Sequence, residues 1–136
     1  MGVVLMSLTV LMALILAYTA LIKLLHRQAF AEAVATWGVP REMRTPIVNF
    51  LPASELTFAA VLGMAAFGLA LDPALSCLAV CGYLLCLTMG QVWIRAHGLR
   101  ADCGCFGGRR PLGVRSIAVA ASLATAAGLF SVGYVL

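Results

Sequence analysis

Charge is what this 136-residue sequence has least of. Only 10% of its residues are charged, while 63% are hydrophobic. An ordinary soluble domain carries roughly 25% and about 45–50% respectively. A small soluble domain buries only about two-thirds of its chain's surface. This much apolar surface has no refuge in water, so a water-soluble enzyme is excluded. Disorder needs the opposite composition and is excluded as well. The mean hydropathy of +1.06 agrees. Acidic residues are scarcer than basic ones, five against nine. Yet no Lys/Arg run exceeds Arg109-Arg110, and no aromatic-studded basic strand accompanies it. Nucleic acid is therefore not an expected partner. Nucleotide, flavin and haem motifs are missing, so no cofactor is predicted, and no complete catalytic triad is visible.

What the sequence does have is long charge-free runs. Met1 to Ile22 holds no charged side chain. As a helix those 22 residues reach about 33 Å at 1.5 Å per residue. A signal peptide would show a basic segment ahead of its apolar stretch. Here the first basic residue is Lys23, so the run reads as a retained membrane span over about residues 2–25. A second span is expected over about 52–71, with Pro52 in its first turn, and a third over about 74–95 after the Asp72-Pro73 turn. A fourth covers about 115–136. Each spanning helix needs about 20 residues, so four spans use most of the chain and leave no separate soluble domain. The expected fold is an all-α integral membrane four-helix bundle, one domain over 1–136. Between the first and second spans, Phe30, Val34 and Trp37 recur at helical spacing among charged residues, with Pro40 and Pro46 as breakers. That pattern predicts a short interfacial helix.

All nine basic residues (Lys23, Arg27, Arg41, Arg44, Arg95, Arg100, Arg109, Arg110, Arg115) fall on the face that carries the two longer loops. The other face carries the termini and the Asp72 turn. The positive-inside rule places the basic face in the cytoplasm and both termini outside.

The chemistry concentrates in few residues. Cys103-Gly104-Cys105 sits in the loop AHGLRADCGCFGGRRPLG. Two thiols one residue apart close a small ring. Its geometry departs from the relaxed disulfide, which favours exchange over stapling. Gly104, Gly107 and Gly108 permit the turns this needs. Nearby Arg100, Arg109 and Arg110 would favour thiolate, and Asp102 would oppose them. A rival reading of the same thiols is a soft-metal site for copper or mercury, with His97 and His26 as further ligands. Cys77, Cys81 and Cys86 lie along the third span, where buried cysteine behaves as a small hydrophobe. The alternative is a second thiol pair for moving electrons across the membrane. Glu55 is the one acid inside an expected span, and an intramembrane acid is a functional candidate by default. Lys23 lies on the same side. The two form either a structural ion pair or a proton-handling group beside the thiols. Ala120, Ala124 and Gly128 recur every fourth residue and form a close-packing face.

Four segments together resemble the MauE branch of the MauE/DoxX redox-associated membrane proteins. They are YTALIKLLHRQAFAEAVATWGVP around Lys23, LPASELTFAAVLG around Glu55, DCGCFG at 102–107, and Arg115 opening the last span. Ser116 stands where the family pattern has Asn. The resemblance implies a bacterial inner-membrane protein that assists maturation of methylamine dehydrogenase, whose periplasmic small subunit is rich in disulfides. It implies a thioredoxin-like partner, MauD, beside it. Carried over by residue, Cys103 and Cys105 are the redox pair, with Lys23, Glu55 and Arg115 as pattern positions. Two other functions stay open: soft-metal transport, and a scaffold for a partner complex in which the thiols are incidental.

The charge distribution generates a first prediction. In a background free of Cys77, Cys81 and Cys86, a membrane-impermeant maleimide should reach Cys103 and Cys105 only after the membrane is opened. Labelling in intact cells after external reduction would turn the chain over.

Overall fold

A computed structural model describes residues 2–69, 72–99, 102–103, 110–111 and 113–135. Its elements are α1 (Gly2–Leu25), α2 (Arg27–Thr36), α3 (Arg41–Ala66), α4 (Pro73–Ala96), β1 (Asp102–Cys103), β2 (Arg110–Pro111) and α5 (Val114–Val135). Four of the helices, α1, α3, α4 and α5, are long and apolar enough to cross a membrane. The fold is an all-α membrane bundle. A chain in lipid has no water to satisfy its backbone, so helices are the expected solution for each apolar run. Large apolar side chains such as Leu14, Phe50, Leu78 and Leu129 point outward. This is the arrangement a hydrocarbon solvent permits.

The spans pack as two helix pairs, α1 along α3 and α4 along α5, with thinner seams between the pairs. Met12 and Leu16 of α1 meet Ala59 and Leu62 of α3, Cys77, Val80 and Leu84 of α4, and Ala124 and Ala127 of α5 in one core. Small residues predominate on α5. In lipid there is little hydrophobic drive between helices, and close approach of small side chains provides the packing instead. A Cβ placed at Gly128 would meet Cys81 Sγ at 3.4 Å, so the small-residue face of α5 does lie against α4.

The second apolar run differs from its sequence expectation. Its helix begins at Arg41 and continues for 26 residues through both Pro46 and Pro52. Pro40 is the residue that ends the preceding turn, and Pro46 breaks nothing. Each internal proline deletes one backbone rung, but its fixed φ near −65° is helical. Membrane helices accept such gaps when neighbours supply replacement contacts. Beside Pro52, Ser54 Oγ bonds the Leu51 carbonyl at 2.8 Å and the Tyr83 hydroxyl of α4 at 3.0 Å. The early start gives α3 about three extra turns ahead of Pro52, and α2 packs on them. Phe30 and Val34 of α2 are buried against Val48, with Trp37, Ile47 and Leu51 around them. Arg27 Nη2 donates to Asn49 Oδ1 at 2.6 Å.

The turn from α2 to α3 depends on a glycine. Gly38 has φ +73°, a left-handed conformation that L side chains resist. A Cβ there would stand 2.9 Å from Leu99 Cδ1. The residue just past α4 therefore closes directly onto the α2–α3 turn, and the loop-bearing end of the bundle is drawn together. At the other end, Asp72 caps α4 by accepting from the Ala74 amide at 2.9 Å, with Pro73 in the first turn.

Candidate functional site

Lys23 and Glu55 meet inside the bundle. Lys23 stands near the end of α1 and Glu55 near the middle of α3. Their side chains are 2% and 4% exposed, and Lys23 Nζ contacts Glu55 Oε1 directly. Thr19, one turn before Lys23, places Oγ1 3.5 Å from Glu55 Oε2 and donates toward it. In a low-dielectric interior a lone charge is very costly, and the cost is met by pairing. The pair thus fixes the rotation of α1 against α3. It also removes Lys23 from the exposed basic residues of the loop face.

The ammonium also lies 5.6 Å from the centre of the Phe30 ring, within cation–π range. Phe30 in turn packs edge-on against Trp37, with ring centres 6.2 Å apart. Trp37 Nε1 donates to the Asp102 carbonyl at 2.9 Å, and the Asp102 amide donates to Thr36 Oγ1 at 3.0 Å. Asp102 and Cys103 form β1, which pairs antiparallel with β2; Asp102 lies opposite Pro111 and Cys103 opposite Arg110. A continuous run of contacts therefore joins Glu55, Lys23, Phe30, Trp37 and Asp102 to the backbone of Cys103. The α2 helix anchors the strand that carries the first predicted thiol.

Of the predicted site residues, Lys23 and Glu55 are brought together, and the Cys103 backbone is held by this anchor. Cys105 lies outside the described residues. His26 precedes α2, and His97 follows α4 with Nδ1 2.9 Å from the Trp93 carbonyl. Among the described residues no three His, Cys, Asp or Glu side chains gather as a metal site would require. Arg115 is exposed in the first turn of α5.

The cysteines of α4 spread over three environments. Cys77 is buried, Cys81 half-buried and Cys86 exposed, and all three are free thiols. Thr9 is fully buried on α1. Its side chain bonds the Tyr134 hydroxyl at 3.0 Å. This hydrogen bond joins α1 to α5 near the termini.

Three residues at the loop end are not among the predicted site residues. Trp37 was read as an interfacial aromatic, whereas its indole nitrogen holds β1. Thr19 carries a visible signal, since it lies four residues before Lys23 and so shares its face. Gln91 is the one amide side chain in the α4 span. Its polarity in an otherwise apolar helix was the available clue.

The burial of both charges generates a prediction. Breaking a buried pair by removing one partner costs about 3–5 kcal/mol, whereas replacing both with apolar residues is often close to neutral. Lys23→Met and Glu55→Gln should each lower the thermal midpoint of the solubilised protein clearly. The Lys23→Met/Glu55→Leu double variant should recover most of the loss. Single variants as stable as the parent would show that the pair does not hold α1 to α3.

A family model described as methylamine utilisation protein MauE matches residues 1–133. No curated protein and no solved structure matches the chain.

Proposed function

The chain belongs to the MauE family, membrane proteins of methylamine utilisation, and from that premise we propose that it performs thiol–disulfide exchange through Cys103 and Cys105. The exchange serves maturation of a partner protein at the inner membrane of a bacterium. The observation that carries this reading is the anchored strand. Both the amide and the carbonyl of Asp102 are held by α2, so the residue preceding Cys103 has a defined place at the loop end.

The chemistry needs little else. A thiolate of the pair attacks a sulfur of the partner's disulfide and forms a mixed disulfide. The neighbouring thiol then attacks the same sulfur of this chain, closing Cys103–Cys105 and releasing the partner as a dithiol. Run backwards, the same steps oxidise the partner. Arg100, Arg109 and Arg110 lie within seven residues of Cys103 in the sequence. Cationic surroundings lower a thiol's pKa and raise the thiolate fraction. A thioredoxin-like protein is the natural counterpart, since it presents a reactive disulfide on a small surface. In the methylamine context the final client is a disulfide-rich periplasmic subunit, which direct exchange reaches only with the Cys103 loop outside, the orientation opposite to the one the basic residues favour.

The test is partner turnover. Cys103→Ser and Cys105→Ser should each abolish disulfide exchange with the thioredoxin-like partner. One of the two single variants should accumulate the mixed disulfide, visible on a non-reducing gel. Full partner maturation with both cysteines replaced would reduce the protein to a scaffold.

A further inference from the structure

The seam between the two helix pairs contains a half-enclosed cleft of about 70 Å³. Its polar corner is built from Lys23, Glu55 and Thr19 on one side and Gln91 on the other, with Ser116, whose hydroxyl already donates to the Gly113 carbonyl, and Leu84 in the wall. All of these residues belong to the four apolar spans. Gln91 lies five residues before the end of α4, so the cleft opens within the loop-bearing half of the bundle.

Two features call for an occupant. Gln91 Oε1 is buried without a hydrogen-bond partner. An unsatisfied polar atom inside a membrane bundle is costly, and a native structure tolerates one when something else completes it. Lys23 has three ammonium hydrogens, and Glu55 takes one directly. The cleft therefore offers a cationic donor and an amide that accepts or, turned over, donates.

The size and lining narrow the chemistry. One water needs roughly 10–15 Å³ and two to four polar partners. The cleft holds several times that volume, yet its wall is mostly apolar, and too few polar groups remain to satisfy a water cluster. A polar metabolite would face the same deficit and would have to leave water for the membrane. A planar ring with oxygens at opposite edges fits both demands, with its hydrocarbon tail in the lipid.

We infer that this cleft binds the ring of a lipid-soluble quinone, with Lys23 donating to one ring oxygen and Gln91 meeting the other. Gln91 suits both redox forms. Its oxygen accepts from a hydroquinone hydroxyl, and its NH2, after an amide flip, donates to a quinone carbonyl. The redox consequence rests on the thiol reading above; the binding does not. In that reaction the S–H bonds of Cys103 and Cys105 break and an S–S bond forms. The two electrons and two protons released convert the quinone to its hydroquinone. The membrane pool then supplies the oxidant, and the pair cycles in the direction that oxidises the partner dithiol to its disulfide.

The experiment uses the full chain in nanodiscs with a photoreactive azido-benzoquinone carrying a ten-carbon tail. Saturable cross-linking to α4 and α5, competed by unlabelled decyl-benzoquinone, is expected. Ala120→Phe fills the cleft, since Ala120 also lines it, and should weaken binding at least about ten-fold. Gln91→Leu should weaken it several-fold while leaving the thermal midpoint equal or higher, because it removes an unsatisfied buried acceptor. The Cys103→Ser/Cys105→Ser variant should bind the quinone as before but reduce it no faster than dithiothreitol does in protein-free nanodiscs. Absence of saturable labelling, or labelling unchanged in Ala120→Phe, would overturn the site even if partner exchange is intact. Binding that persists in the serine variant together with quinone reduction as fast as the parent's would uphold the site and overturn the thiol reading.

Discussion

The loop-bearing end of this bundle depends on one buried ion pair. Lys23 and Glu55 sit on helices joined only through α2 and its turns, yet their charges must meet, because neither is tolerable alone in the interior. Their meeting sets how α1 and α3 face each other. It also places an ammonium beneath Phe30, and the Phe30–Trp37 contact extends the arrangement outward to Asp102. The thiol strand is thus reached from the membrane interior by side-chain contacts, with no rigid backbone link between them. The same ion pair forms one wall of the cleft between the helix pairs. A single electrostatic requirement therefore organises both the anchored strand β1 and the intramembrane cavity.

Much of the architecture was legible because lipid simplifies the rules. Helices α1, α4 and α5 occupy runs in which charge is absent or confined to the ends, and in a bilayer such runs have one good conformation. Lys23 and Glu55 stood out for the same reason, as ionisable groups where few are tolerated. The prolines misled. Pro46 and Pro52 read as a boundary, whereas a membrane helix absorbs both, and α3 gains the turns on which α2 rests. Tertiary links were illegible. Trp37 bonds a residue 65 positions away, and no local pattern announces that. Gln91 shows its meaning only once four helices are assembled around it.

The molecule divides its labour by depth. Near the termini, the hydroxyls of Thr9 and Tyr134 bond each other and tie α1 to α5. At mid-depth, small residues of α5 pack against α4. Toward the basic face, polar groups are arranged with spare bonding capacity, and the thiol strand lies just beyond. Among the described residues, the one buried side-chain polar atom without a partner, Gln91 Oε1, lies in this loop-bearing half. Lone Cys77 belongs to the half near the termini and is buried in the core.

The central claim is that Cys103 and Cys105 act as one two-electron couple. The most direct measurement is a redox titration of the purified protein lacking Cys77, Cys81 and Cys86. The state of the remaining pair is read by alkylation and intact mass. The account predicts a single reversible transition in which both thiols become protected together, with the loss of two hydrogens per chain. Thiols that titrate independently, or that alkylate equally under oxidising and reducing conditions, would contradict it.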